Sequence, residues 1–161
     1  MSKIIFSNSD GTLSFIVPCL NEVNPTTGQP FTIQEIADKD LPAGISTYSI
    51  VEDSVIPTDI DFREAWVGVG IGTTGGTISH DMTKAKEIHK TNIRAARTPL
   101  LAALDVEFQK ALETGADTST IVAKKQALRD APAASGISTA VNTGDLVAQW
   151  DTSILGTSPY S

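Results

Sequence analysis

The chain has 161 residues, 40% hydrophobic and 19% charged, which is room for one ordinary domain or two small modules sharing a modest core. Twelve basic against 19 acidic residues give a formal charge of -7, which opposes non-specific attraction to nucleic acid or an anionic membrane. Cys19 is the single cysteine, so an intrachain disulfide and a thiolate zinc site are excluded, and no run approaches the ~18 apolar residues of a membrane span.

Cys19 therefore reads as a small buried apolar residue or an inert surface thiol. Met1-Ser2-Lys3-Ile4-Ile5-Phe6 turns polar too soon for a signal peptide, and a cytoplasmic location is the expectation. Residues 3–6 and 12–18 are β-favouring runs separated by Ser7-Asn8-Ser9-Asp10-Gly11, whose Asp-Gly pair suits a tight turn, so a hairpin is expected. In its second strand Leu13, Phe15 and Val17 alternate with Ser14 and Ile16, which places the first three on one face. Residues 21–30 carry Asn-Pro and Thr-Gly punctuation and read as a surface loop.

Thr32 followed by Glu35 fits a capping box, so a helix of about two turns is expected to run to Lys39 and stop before Leu41-Pro42-Ala43-Gly44. Residues 47–51 read as a third strand. Phe62, Ala65 and Trp66 stand at helical spacing after Pro57, which predicts a short helical turn tucking Trp66 into the core. Asp59, Asp61 and Glu64 lack the Gly and terminal Glu of a calcium loop and read as solvated acids at a helix start.

Gly70-Ile71-Gly72-Thr73-Thr74-Gly75 formally matches a dinucleotide fingerprint. The β-type Gly76-Thr77-Ile78 stands where the required helix would begin, and no βαβ unit surrounds it, so a flexible β-hairpin is the expectation. His80 and His89 are nine residues apart without His-Glu-x-x-His spacing, and no Gly-x-Ser-x-Gly elbow presents a nucleophile. No catalytic, cofactor-binding or metal site is expected, and a non-enzymatic role follows.

From Asp81 Gly and Pro nearly vanish and the apolar period lengthens. Ala85, Ile88, Ile93, Ala96, Leu100, Leu104, Phe108 and Ala111 form a helical stripe that Leu101 and Leu112 widen. Pro99 either kinks this helix or caps and restarts it. Thr114-Gly115-Ala116-Asp117 ends it, and Ile121, Val122, Lys125 and Leu128 mark a shorter helix closed by Asp130-Ala131-Pro132. So short a turn predicts antiparallel neighbours. A last helix near residues 145–150 docks Leu146 and Trp150, and the remaining tail has little to bury. The fold class expected is α+β: a small β-rich N-terminal module with short helices (1–80), a C-terminal antiparallel helical hairpin (81–150) and a tail (151–161).

Lys86, Lys90, Arg94 and Arg97 recur at helical intervals, while residues 1–66 hold ten acids and three bases. The basic stretch is either a solvated face that also pairs with the acidic N-terminal module, or a surface for an acidic protein, ahead of nucleic acid.

Ile93-Arg94-Ala95-Ala96-Arg97-Thr98-Pro99-Leu100-Leu101-Ala102-Ala103-Leu104-Asp105, followed by Lys125-Gln126-Ala127-Leu128-Arg129-Asp130-Ala131-Pro132, resembles the phage tail assembly chaperone family. That family carries an arginine pair, Leu-Leu, an Asp one turn on, and a second helix ending in Gln-x-Leu-Arg-Asp-x-Pro. Asp61-Phe62-Arg63-Glu64-Ala65-Trp66, residues 82–88 and residues 145–150 are also similar to small proteins encoded near phage tail genes. This chain has Ala and Val where members often carry Trp, and Pro99 and the Gly-rich segment also depart from the plainest pattern.

The resemblance implies a phage tail or tail-fibre protein as partner, with a homo-oligomer as a further option, while the acidic balance and the short apolar runs predict no nucleic-acid or membrane partner. It implies either an assembly chaperone of the host cytoplasm or a permanent tail subunit at the fibre base or baseplate. Leu100, Leu101 and Leu128 read as core. Lys86, Lys90, Arg94, Arg97, Gln126 and Arg129 are the candidate partner contacts, although Arg129 also stands as a pairing choice for Asp105 across the two helices.

Overall fold

Three consecutive buried residues, Ile4, Ile5 and Phe6, fit only a strand covered on both faces, and they lie in the central strand of a small sheet. In the computed structural model, which describes residues 1–72 and 75–160, the chain is α+β and divides into two compact units after Asp81.

In the first unit β1 (Ser2–Ser7) pairs antiparallel with both β2 (Leu13–Ile16) and β3 (Tyr48–Glu52). The expected β1–β2 turn is present, with Asp10 accepting from the Thr12 amide at 2.9 Å. One sheet face packs Ile4, Ile16 and Tyr48 against Ile36 and Ala37 of α1 (Ile33–Asp40). The capping box is formed: Glu35 accepts from the Thr32 amide at 2.8 Å, and the Glu35 amide donates to the Thr32 hydroxyl at 3.2 Å. The Thr32 amide, together with the Thr32 hydroxyl donating at 2.7 Å, holds the Glu35 carboxyl below the usual carboxylate range.

Ile16 therefore joins the α1 core, as alternation requires, but β2 ends there and Val17 is exposed, contrary to its expected place beside Leu13. Pro18 follows at once and cannot extend a ladder. Cys19 is an exposed free thiol.

The opposite sheet face meets β4 (Trp66–Val69), which pairs antiparallel with β5 (Thr77–His80). A 3-10 turn, Ile60–Ala65, precedes β4 and buries Phe62 and Ala65, and Trp66 is buried as the spacing predicted. The Gly-rich segment thus connects antiparallel strands, and its Thr73 and Thr74 lie outside the described residues. Gly72 donates its amide to the Ser49 hydroxyl at 2.9 Å. A Cβ on Gly76 would stand 2.5 Å from the Ser49 oxygen and 2.8 Å from its Cβ, and Ser49 is buried. Gly76→Ala is therefore expected to destabilise this unit by about 1–3 kcal/mol, read as a lower urea midpoint by Trp66 fluorescence in a Trp150→Phe background. An unchanged midpoint would show that the glycine is not required for close packing.

The second unit begins with α2 (Met82–Thr114), which passes through Pro99 as one helix. Thr98 donates its hydroxyl to the Arg94 carbonyl at 2.8 Å, one residue before the Ala95 carbonyl that the proline ring leaves without a helical donor. At its end the Gly115 amide bonds the Leu112 carbonyl and the Ala116 amide bonds the Ala111 carbonyl, with Gly115 at φ 66. This left-handed glycine closure stops the helix and turns the chain into α3 (Ser119–Asp130). Short helices α4 (Ser135–Thr139), α5 (Thr143–Ala148) and α6 (Thr152–Leu155) follow.

Ala85, His89 and Ile93, four residues apart, are the buried stripe of α2's first half, and Leu128, Ile137, Leu146, Trp150 and Leu155 are buried with them in this unit. Residues 151–160, expected to bury little, are part of that unit. Leu155 is buried, and Tyr160 stacks on His89 with ring centroids 5.5 Å apart. Trp150 donates its indole N–H to the Gly156 carbonyl at 3.1 Å, which ties the chain end back. Among the described residues no helix is long and apolar enough to cross a membrane.

Candidate partner-binding groove

Arg97 projects from the middle of α2 and donates from Nη1 to the carbonyls of Leu128 at 3.3 Å and Arg129 at 2.8 Å. These belong to the last turn of α3, where carbonyls lack helical donors and a cation opposes the negative end of the helix dipole. Arg97 thus fixes the end of α3 against α2, and Arg129 is placed near the Arg94 and Arg97 turns. Lower down, Lys125 pairs with Asp105 and lies over the Phe108 ring, 5.0 Å from its centroid. The pairing offered for Arg129 with Asp105 is therefore taken by Lys125, because Arg97 sets residues 128–129 opposite itself, two turns from Asp105.

The result is an open groove of about 520 Å³ walled by Lys90, Arg94, Arg97 and Arg129. Its apolar lining is Pro132, Ala133, Ala134 and Ile137, contributed by the chain that leaves α3 and enters α4. Four of the six residues expected to contact a partner meet at this one site. Lys86 does not line it but donates to the Ser138 carbonyl at 2.7 Å, holding α4 beside α2. Gln126 stays outside, donating along its own helix to the Asp130 carboxylate at 2.9 and 3.0 Å. Leu128 is buried as expected of a core residue, and Leu100 and Leu101 are half-buried.

Glu87 is the acid that answers these cations from α2, 2.8 Å from Lys90 Nζ and 3.9 Å from Arg94 Nη1. The Lys90 bond and the nearby Arg94 hold its carboxyl below the usual range. Exposed pairs of this kind contribute little, so Arg94 remains available to a better-placed anion. Sequence spacing located the four α2 cations on one face. It did not locate α4, whose five residues start without a side-chain cap, and so the apolar lining was missed apart from Pro132.

The two histidines serve other ends. His80 sits 2.9 Å from Asp59, which also accepts from the Trp66 indole at 3.2 Å, so Asp59 fastens β4 and β5 in the first unit and is not merely a solvated acid. His89 is fully buried, with Nδ1 2.6 Å from the Tyr160 hydroxyl, Trp150 at its edge and, among the described residues, no partner for Nε2. Burial disfavours the charged imidazolium and pushes the His89 pKa below its ordinary value. An unfolded chain takes up this proton below about pH 6.5 and the folded one does so only at lower pH, so the stabilisation is present above pH 6.5 and is lost as pH falls through the folded pKa. Melting of the second unit should weaken by up to about 1.4 kcal/mol per pH unit across that window. In His89→Phe this component should vanish, and an equal pH slope in both proteins would contradict it.

Comparison with family models, curated proteins and solved structures returns no match for this chain.

Proposed function

We propose that the chain is a non-enzymatic protein of tailed-bacteriophage tail morphogenesis. In this reading the second half of α2 and α3 form an antiparallel helical hairpin that holds a tail or tail-fibre protein as an assembly chaperone. The observation that carries it is the meeting of Lys90, Arg94, Arg97 and Arg129 around one groove. Three of these, Arg94, Arg97 and Arg129, are positions of the motif that resembles the tail assembly chaperones, and a fourth motif residue, Pro132, lines the same groove. Charged and apolar groups converging on one concavity suit protein recognition.

A second reading, a permanent subunit of the tail, is favoured by the far end of the same helices, where Val106, Leu112 and Val122 are exposed. Apolar side chains left open there would gain from a neighbour in an assembled particle. Affinity purification of the tagged chain from cells producing the phage tests the shared claim: a tail or tail-fibre protein is the expected partner. Mass spectrometry of mature particles then separates the roles, since a chaperone is absent and a subunit is present in fixed stoichiometry. Recovery of no tail protein, together with absence from particles, overturns both.

A further inference from the structure

The groove has a composition that selects among partners. Its cations form a bounded cluster: Glu87 stands beside Lys90, Asp130 follows Arg129, and the next charge along α2 after Arg97 is Asp105. Apart from the four groove cations, the residues after Asp81 hold five bases and eight acids, so the rest of this unit carries an excess of acid. With a formal charge of -7 on the whole chain, a long polyanion is disfavoured. Among the described residues no aromatic ring lines the groove, whereas single-stranded nucleic acid is held by stacking on such rings. The lining of Pro132 and Ile137 instead offers a small aliphatic contact between charged walls.

Resting on the reading of this unit as the recognition element, we propose that the groove receives a short acidic protein segment, with carboxylates flanking an aliphatic side chain. Arg94 and Arg129 are the gripping residues, because Arg97 is already engaged with the α3 carbonyls. Their planar guanidinium groups suit two-point contacts with carboxylates, which an ammonium group does not make. The aliphatic residue would rest on Pro132 and Ile137, which sets the segment apart from a free phosphate or a simple acid.

The test is fluorescence anisotropy with the full chain and a dye-labelled peptide of repeated Asp-Leu-Glu units. Controls are its Asn-Leu-Gln counterpart, an Asp-Ser-Glu version and a single-stranded oligothymidylate of equal charge. The Asp-Leu-Glu peptide is expected to bind best. Arg94→Glu with Arg129→Glu should weaken it at least about tenfold, while Lys124→Glu, an exposed charge outside the groove, should change it less than about twofold. Arg94→Gln with Arg129→Gln serves if the reversal disturbs folding by circular dichroism. Equal binding by the variants, tighter binding of the oligothymidylate, or no preference for Leu over Ser overturns the proposal. So does self-association through the groove without peptide binding. If peptide binding fails while a tail protein is still recovered from cells, this inference falls and the function proposed above stands.

Discussion

Truncating Trp150 to Ala is expected to cost the second unit about 3–5 kcal/mol, a large share of the stability of a small folded unit. Trp150 is only 7% exposed and meets both His89 and Tyr160 edge to face, at centroid distances of 6.3 and 5.8 Å. Its removal leaves a cavity, unties the Gly156 carbonyl and exposes a buried imidazole. Chemical denaturation followed by far-ultraviolet circular dichroism reads the loss. Trp150→Phe, which retains a ring but not the indole donor, should lose less. A loss below about 1 kcal/mol for Trp150→Ala would mean that the chain end does not stabilise this unit.

Leu128→Ala is the second large effect, about 2–4 kcal/mol, and it acts on the groove as well. Leu128 is 3% exposed, and its carbonyl, with that of Arg129, receives Arg97. Shrinking it leaves a void under the last turn of α3 and loosens the registry that brings Arg129 to the α2 cations. Trp150 fluorescence in a Trp66→Phe background reports the stability loss. Acidic-peptide affinity should fall with it even though no groove charge is removed. An unchanged affinity in the folded variant would show that Arg129 is positioned without Leu128.

Much of this arrangement was legible in the residues because it is local. The Thr32 and Glu35 cap is a three-residue pattern, and its bonds form as the pattern requires. Phe62, Ala65 and Trp66 carried their burial in their spacing, and Lys90, Arg94 and Arg97 carried their shared face in theirs. What stayed hidden depends on distant partners. Tyr160 and His89 are 71 residues apart, and nothing in the polar stretch around Tyr160 announces that its ring stacks on a buried imidazole. Asp59 looked solvated because its partners, Trp66 and His80, are set by the β4–β5 register. Pro99 left two outcomes open, and the intact helix on both sides of it decided for continuity.

In the proposed function, recognition resides in the cations of one groove, and the deciding measurement is recovery of the tail or tail-fibre protein from phage-producing cells. Wild-type chain and the folded Arg94→Glu/Arg129→Glu variant, expressed at equal levels, would be purified side by side and the bound tail protein quantified. Recovery is expected with the wild type and loss of it with the variant. Equal recovery with both would contradict recognition by the groove cations.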